Sequence, residues 1–163
     1  LGSSLFGAQL AAALGLSYAF ASHFAPDELM TALATYRATF RPSATLAKPY
    51  AMVAANVVVA ETDEAARRLF TSIQQGVANL LRGARGLLQP PLDDIYTYWT
   101  PAERAHASRM LACSFVGAPE TVRAELERFA AKTQADEIMV AAGIFDQVAK
   151  LRSFELLADT LLR

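Results

Sequence analysis

The sequence predicts an α/β fold in which parallel strands alternate with packed helices, and three observations carry that expectation. The stretch "PYAMVAANVVVAET" holds a nearly continuous, uncharged Val/Ala/Met run, the pattern of a strand buried on both faces and therefore of a parallel sheet. Amphipathic helical segments stand on either side of it, "APDELMTALATYRATF" before and a long run opening at Thr62 after. The chain also opens on Gly2, Ser3 and Ser4 directly ahead of an Ala-rich helical run, a loop of the kind that joins a strand to a helix.

Taken in order, Ala, Leu and Gln favour a helix from about Leu5 to Leu14, which Gly15 stops. "SYAFAS", from Ser17 to Ser22, is too short for a helix and rich in aromatics, so it reads as a buried strand. Pro26 suits a first helical position, Asp27 and Glu28 a first turn, and Leu29, Leu33, Tyr36 and Phe40 form one apolar face until Pro42. The long buried strand follows; Thr62, with Asp63 and Glu64, then caps a helix to about Leu81. "RGARGLLQPPLDDIYTYW" is an irregular excursion. Helices from Pro101 to about Cys113 and from Pro119 to about Lys132, a strand "DEIMVAA" and a last helix from about Phe145 complete the order. A three-stranded parallel sheet leaves two long edges, so a further piece is expected upstream of Gly2.

The totals set limits on function. One domain is expected from 163 residues, and 53% hydrophobic against 19% charged residues suggests some apolar surface facing a partner. A net charge of -1 gives no footprint for nucleic acid or an anionic membrane surface. The uncharged stretch from Leu5 to Phe24 contains Gln9, Gly15, Ser17 and Ser22 and reads as buried helix plus buried strand, with no membrane segment expected. A single cysteine, Cys113, argues against a disulfide framework and for a reducing, cytoplasmic location.

Chemistry-bearing residues are few. Two histidines and one cysteine, far apart in sequence, show no metal-ligand spacing, and no metal site is expected. Cys113 reads as a buried structural thiol, His106 as a solvated helix residue, and the pairs Asp93/Asp94 and Asp136/Glu137 as ordinary solvated acids. No residue is assigned as catalytic. His23 follows the strand "SYAFAS" at its C-terminal end, where parallel α/β folds place their sites; a structural hydrogen bond is an equal reading. Gly2, Ser3 and Ser4 combine free amides, two hydroxyls and a helix dipole into a seat for phosphate, although as a bare pattern an ordinary N-cap is favoured.

Three segments together carry a resemblance: "GSSLFGAQLAAALGLSYAFASHF", "VGAPETVRAELERFAAKTQADEIMV" and "AKLRSFELLADTLLR". They resemble the C-terminal half of the bacterial luciferase-like, flavin-dependent monooxygenases, over essentially the whole chain in order. The resemblance implies the C-terminal half of a (β/α)8 TIM-type barrel, with residues 1–163 as a single unit and the N-terminal half absent. It also implies reduced FMN as cofactor, O2 and a small organic molecule as substrates, and NAD(P)H as a possible electron source. This chain alone is then expected to be inactive, and its exposed strand edges to favour association with the missing half or a homo-oligomer.

The same resemblance turns the balance at Gly2, Ser3, Ser4 and Gly7 towards binding the FMN phosphate, and places His23 in the substrate pocket. Gly7 stands where relatives often carry a hydroxyl residue, and Ala118 where a Ser or Thr cap is more usual. The excursion ending in Tyr96, Tyr98 and Trp99 reads equally as a lid, an intersubunit contact or packed surface aromatics. Two rival readings stay open: a non-catalytic flavin-binding or interaction module of the same fold, and an unrelated α/β enzyme acting on a phosphorylated ligand.

Overall fold

The computed structural model describes residues 1–161, and in it helices and strands alternate as the sequence predicts. Helix α1 (Leu5–Ala13) leads to β1 (Tyr18–Phe20), α2 (Leu29–Thr39) and β2 (Ala51–Val59). The second part runs through α3 (Asp63–Leu81), a 3₁₀ turn at Ile95–Thr97, α4 (Pro101–Met110), β3 (Ser114–Gly117), α5 (Pro119–Thr133), β4 (Glu137–Ala141) and α6 (Gln147–Leu161). The last two residues of the expected final helix, Leu162 and Arg163, lie outside the described residues.

Two compact units divide the chain, and β2 begins in one and ends in the other. In the first, β1 pairs in parallel with the start of β2, Tyr18 opposite Ala51 and Phe20 opposite Val53, and β4 also pairs with β2. Its core gathers Ala8 and Ala12 of α1, Ala32, Leu33 and Tyr36 of α2, and Tyr18, Phe20, Ala51 and Val53 of the strands. Alanines on α1 let α2 approach closely, and the Tyr36 hydroxyl donates to Leu16 O at 2.8 Å, tying the turn after α1 to that core. Gly15 adopts φ +62° there, the left-handed conformation that ends α1 as expected.

In the second unit β3 pairs in parallel with the end of β2, Asn56 opposite Ser114 and Val59 opposite Gly117. Thr62 caps α3 by accepting from the Ala65 amide at 3.1 Å, and Ser153 of α6 reaches the Val59 amide at 2.8 Å. Val57, Val58 and Val59 are buried, which is why this run carries no charge.

Three expectations are corrected. Helix α2 starts at Leu29 rather than Pro26; residues 26–28 form a turn in which Pro26 O accepts the Leu29 amide, and the Glu28 side chain is turned to another partner. Helix α4 ends at Met110 and does not reach Cys113. The residues beyond it supply a fourth strand, β3, whose four residues are held by parallel backbone pairing with β2. The uncharged stretch from Leu5 to Phe24 divides into α1 and β1, and among the described residues no helix is long and apolar enough to cross a membrane.

Candidate functional site

Gly2 lies alongside β1. Its amide donates to Ala19 O at 2.9 Å and its carbonyl accepts from the Ala21 amide at 2.9 Å, an isolated parallel bridge at Phe20. The chain therefore enters α1 from an extended segment, and Ser4 keeps an extended N-cap conformation (φ −147°, ψ 168°) with no side-chain capping bond. Ser3 and Ser4 are both exposed. Helix geometry leaves the amides of Leu5, Phe6 and Gly7 without intrahelical acceptors, at the positive end of the helix dipole.

Gly2 and Gly7 face one another across this first turn. A Cβ added to either would meet the Cα of the other at 3.4 Å and the Tyr18 ring at 3.7 or 3.6 Å. The Tyr18 hydroxyl donates to Ser4 O at 3.3 Å. Burial, with a smaller push from the Glu28 charge, drives that phenol up to about 12, so it remains a donor throughout the physiological range.

Sequence reasoning missed Glu28 at this place, having read it as a first-turn acid of the following helix. Its Oε2 accepts the Leu5 amide at 3.2 Å, so a carboxylate reaches the very terminus that the serines open. No local pattern could have revealed this, because the partners are 23 residues apart.

His23 stands on the turn after β1, two residues beyond Ala21, half-buried and with its ring edge-on to Phe24 at 4.8 Å. Burial lowers its pKa, which favours the neutral imidazole. The acids read as solvated have structural partners: Asp93 pairs with Arg68 at 2.6 Å and Asp94 caps the 3₁₀ turn at the Tyr96 amide. Asp136 accepts the Ala51 amide at 2.7 Å, and Glu137 accepts from the Tyr50 hydroxyl. His106 is exposed and Cys113 buried.

The aromatics closing the excursion differ in what they do. Tyr98 is fixed, its hydroxyl donating to Asn79 Oδ1 at 2.8 Å and its ring lying 4.9 Å from the Arg82 guanidinium. Tyr96, beneath Arg104 at 4.8 Å, and Trp99 line a surface cleft of about 380 Å³ with Thr100 and Ser108. Chemically, the arrangement around Ser3 and Ser4 can hold an anion with hydroxyl and amide donors.

The family model described as luciferase-like monooxygenase matches residues 1–137. A luciferase-like monooxygenase of Escherichia coli (strain K12) is 51% identical over 159 residues, covering 98% of this chain and 48% of that protein. The Bacillus subtilis (strain 168) protein YvbT is 46% identical over 159 residues, 98% of this chain and 47% of its own length. Among solved structures, apo-MsnO8 superposes with a TM-score of 0.78 at 32% identity, over 98% of this chain and 49% of that one. The oxygenating constituent of 3,6-diketocamphane monooxygenase from Pseudomonas putida, in complex with FMN, gives 0.58 at 18% identity, over 94% and 44%, and speaks for the fold alone. The chain spans about half the length of the curated relatives it matches. Its parallel α/β architecture is thus half of a TIM-barrel type of fold, and the chain belongs to the luciferase-like monooxygenase family.

Proposed function

We propose that this chain forms the phosphate-binding half of an FMN-dependent monooxygenase that uses reduced flavin and O2 to oxygenate a small organic molecule. The observation that carries the reading is the first turn of α1, where two exposed serines, an uncommitted Ser4 hydroxyl and the terminal amides converge. Hydroxyl and amide donors suit phosphate oxygens, and facing glycines at positions 2 and 7 leave the turn free of side-chain bulk. FMN is the phosphorylated flavin that a structural neighbour of the same fold holds, and it is the ligand proposed here.

Bound flavin would supply the redox chemistry with O2. The protein would do the rest: Ser3, Ser4 and the amides of Leu5, Phe6 and Gly7 anchor the phosphate, Tyr18 holds the Ser4 carbonyl from below, and the neutral His23 forms part of the pocket wall. Association with the other half of the barrel, or as a homo-oligomer, belongs to the same proposal. Its support is the exposed apolar row of Phe6 and Leu10 on α1 with Leu14 directly after it. So do NAD(P)H as electron source, a cytoplasmic setting consistent with the lone buried thiol Cys113, and inactivity of this half by itself.

The test compares FMN with riboflavin by quenching of flavin fluorescence. FMN is expected to bind the more tightly, and Ser4→Ala to cut that preference roughly tenfold while leaving riboflavin untouched. Equal affinity for both ligands, unaffected by Ser4→Ala, overturns the reading. The second reading, a non-catalytic flavin-binding module of the same fold, predicts flavin binding without flavin-dependent O2 consumption when both halves are present.

A further inference from the structure

We propose that Glu28 is a built-in competitor for the phosphate: its carboxylate occupies the Leu5 amide at the head of α1 and must swing away before a phosphate takes that donor. The inference rests on the FMN-phosphate reading of the same turn and adds a regulating residue to it.

The hydrogen bond from Leu5 N to Glu28 Oε2 spans 3.2 Å between exposed groups, longer than the roughly 2.7–2.9 Å of a strong charge-assisted contact. It is therefore suited to exchange. The backbone of Glu28, by contrast, is fixed: its carbonyl accepts the Ala32 amide at 2.8 Å, and the next residue, Leu29, is buried. Rotation of the side chain alone frees the amide, with no movement of α2.

Residues 1–28 contain no Lys or Arg, so this segment itself supplies no such side chain to offset the carboxylate. A dianionic phosphate entering at Ser3 and Ser4 meets the Glu28 charge one hydrogen bond away, and the helix terminus can neutralise only about half an elementary charge. The result is a site whose donors favour phosphate while the Glu28 carboxylate beside them resists it. Glu28 accordingly sets the affinity for the phosphorylated ligand and leaves the affinity for an unphosphorylated flavin alone.

Glu28→Gln is the test, because glutamine keeps the shape and an acceptor oxygen while removing the charge. FMN and riboflavin are titrated against both proteins by fluorescence quenching at low and high salt. FMN is expected to bind about three- to thirtyfold more tightly to Glu28→Gln, with riboflavin unchanged and the gain shrinking at high salt. FMN binding that prefers phosphate yet is unaltered or weakened by Glu28→Gln overturns the inference and leaves the phosphate site standing. Loss of any FMN preference in both proteins overturns the phosphate site and the inference with it. Glu28→Ala checks the direction without relying on the glutamine oxygen, and matched urea midpoints show that both variants are folded.

Discussion

The Asp63 carboxylate caps a helix to which it does not belong: its Oδ1 accepts the Ala118 amide at 2.7 Å, at the mouth of α5. Ala118 has no side-chain oxygen, and its own amide is taken by the first residue of α3, 55 positions earlier. Gly117 makes the approach possible. A Cβ on it would lie 2.7 Å from Asp63 Oδ1 and 2.8 Å from Thr121 Cγ2. Hydrogen bonds from the Ala118 amide and the Thr121 hydroxyl hold the Asp63 carboxyl below the usual range.

Gly117→Ala should therefore destabilise the protein by about 1–3 kcal/mol, since the added methyl drives the capping carboxylate and Thr121 aside. Asp63→Ala should also lower stability, and the double variant should lose less than the two single losses together, because both break one contact. Urea unfolding midpoints of the four proteins check this. A Gly117→Ala midpoint equal to that of the parent would sink it.

Acid should act early on the second unit. Glu103 takes hydrogen bonds from Arg82 (2.6 Å) and from the Thr100 amide (2.7 Å), and its carboxyl is pushed down from 4.5 to about 2. A carboxyl depressed on folding stabilises the fold above its unfolded value, and that contribution fades as pH falls through the folded value. The loss should run from about pH 4.5 towards 2. Glu103→Gln should flatten this part of the stability profile while leaving its neutral-pH limb parallel to the parent; identical acid slopes in the two proteins would contradict the assignment.

Local signals were legible and remote ones were not. Thr62 announces its helix because the cap and the Ala65 amide that donates to it are three residues apart, and Gly15 ends α1 through its own backbone freedom. By contrast β3 is invisible before folding: Ser114–Gly117 has only four residues, follows a helix-favouring "RMLA", and becomes a strand by pairing with Asn56–Val59. The site divides along the same line. Gly2, Ser3 and Ser4 are readable as a loop entering a helix, whereas Glu28 and Tyr18 join that loop through hydrogen bonds spanning 23 and 14 residues. Asp27 and Glu28 looked alike in sequence; only the turn at 26–28 gives Glu28 its different partner.

Gly15 should be the least replaceable of the glycines in the first unit. Its φ of +62° disfavours any side chain, and a Cβ there would come within 2.5 Å of Arg41 O and 2.6 Å of Ser43 Cβ. Backbone strain and steric overlap add, so Gly15→Ala should cost at least about 2 kcal/mol. Gly76→Ala makes the control, because a Cβ there meets nothing within 4 Å and a helical alanine is the better former. Thermal unfolding should separate the two variants in opposite directions from the parent; a Gly15→Ala melting point at or above that of the parent would refute the argument.

Cys113 should behave as an unreactive thiol while the fold is intact. It lies buried in the core of the first unit, on the turn between α4 and β3. Burial raises its pKa, against weaker opposing influences from Lys132 and from a hydrogen bond with Ser22, whose own hydroxyl reaches Ala54 O. The attacking species in thiol exchange is the thiolate, so both low access and low thiolate population slow the reaction. Labelling with an aromatic disulfide reagent at mildly alkaline pH should leave the native protein unmodified and release one equivalent only across the urea transition. The labelling midpoint should coincide with the optical one. Full labelling of the native protein at the rate of a free cysteine would show that this part of the core opens without global unfolding, and that the packing around Tyr18, Val53 and Cys113 does not seal the thiol.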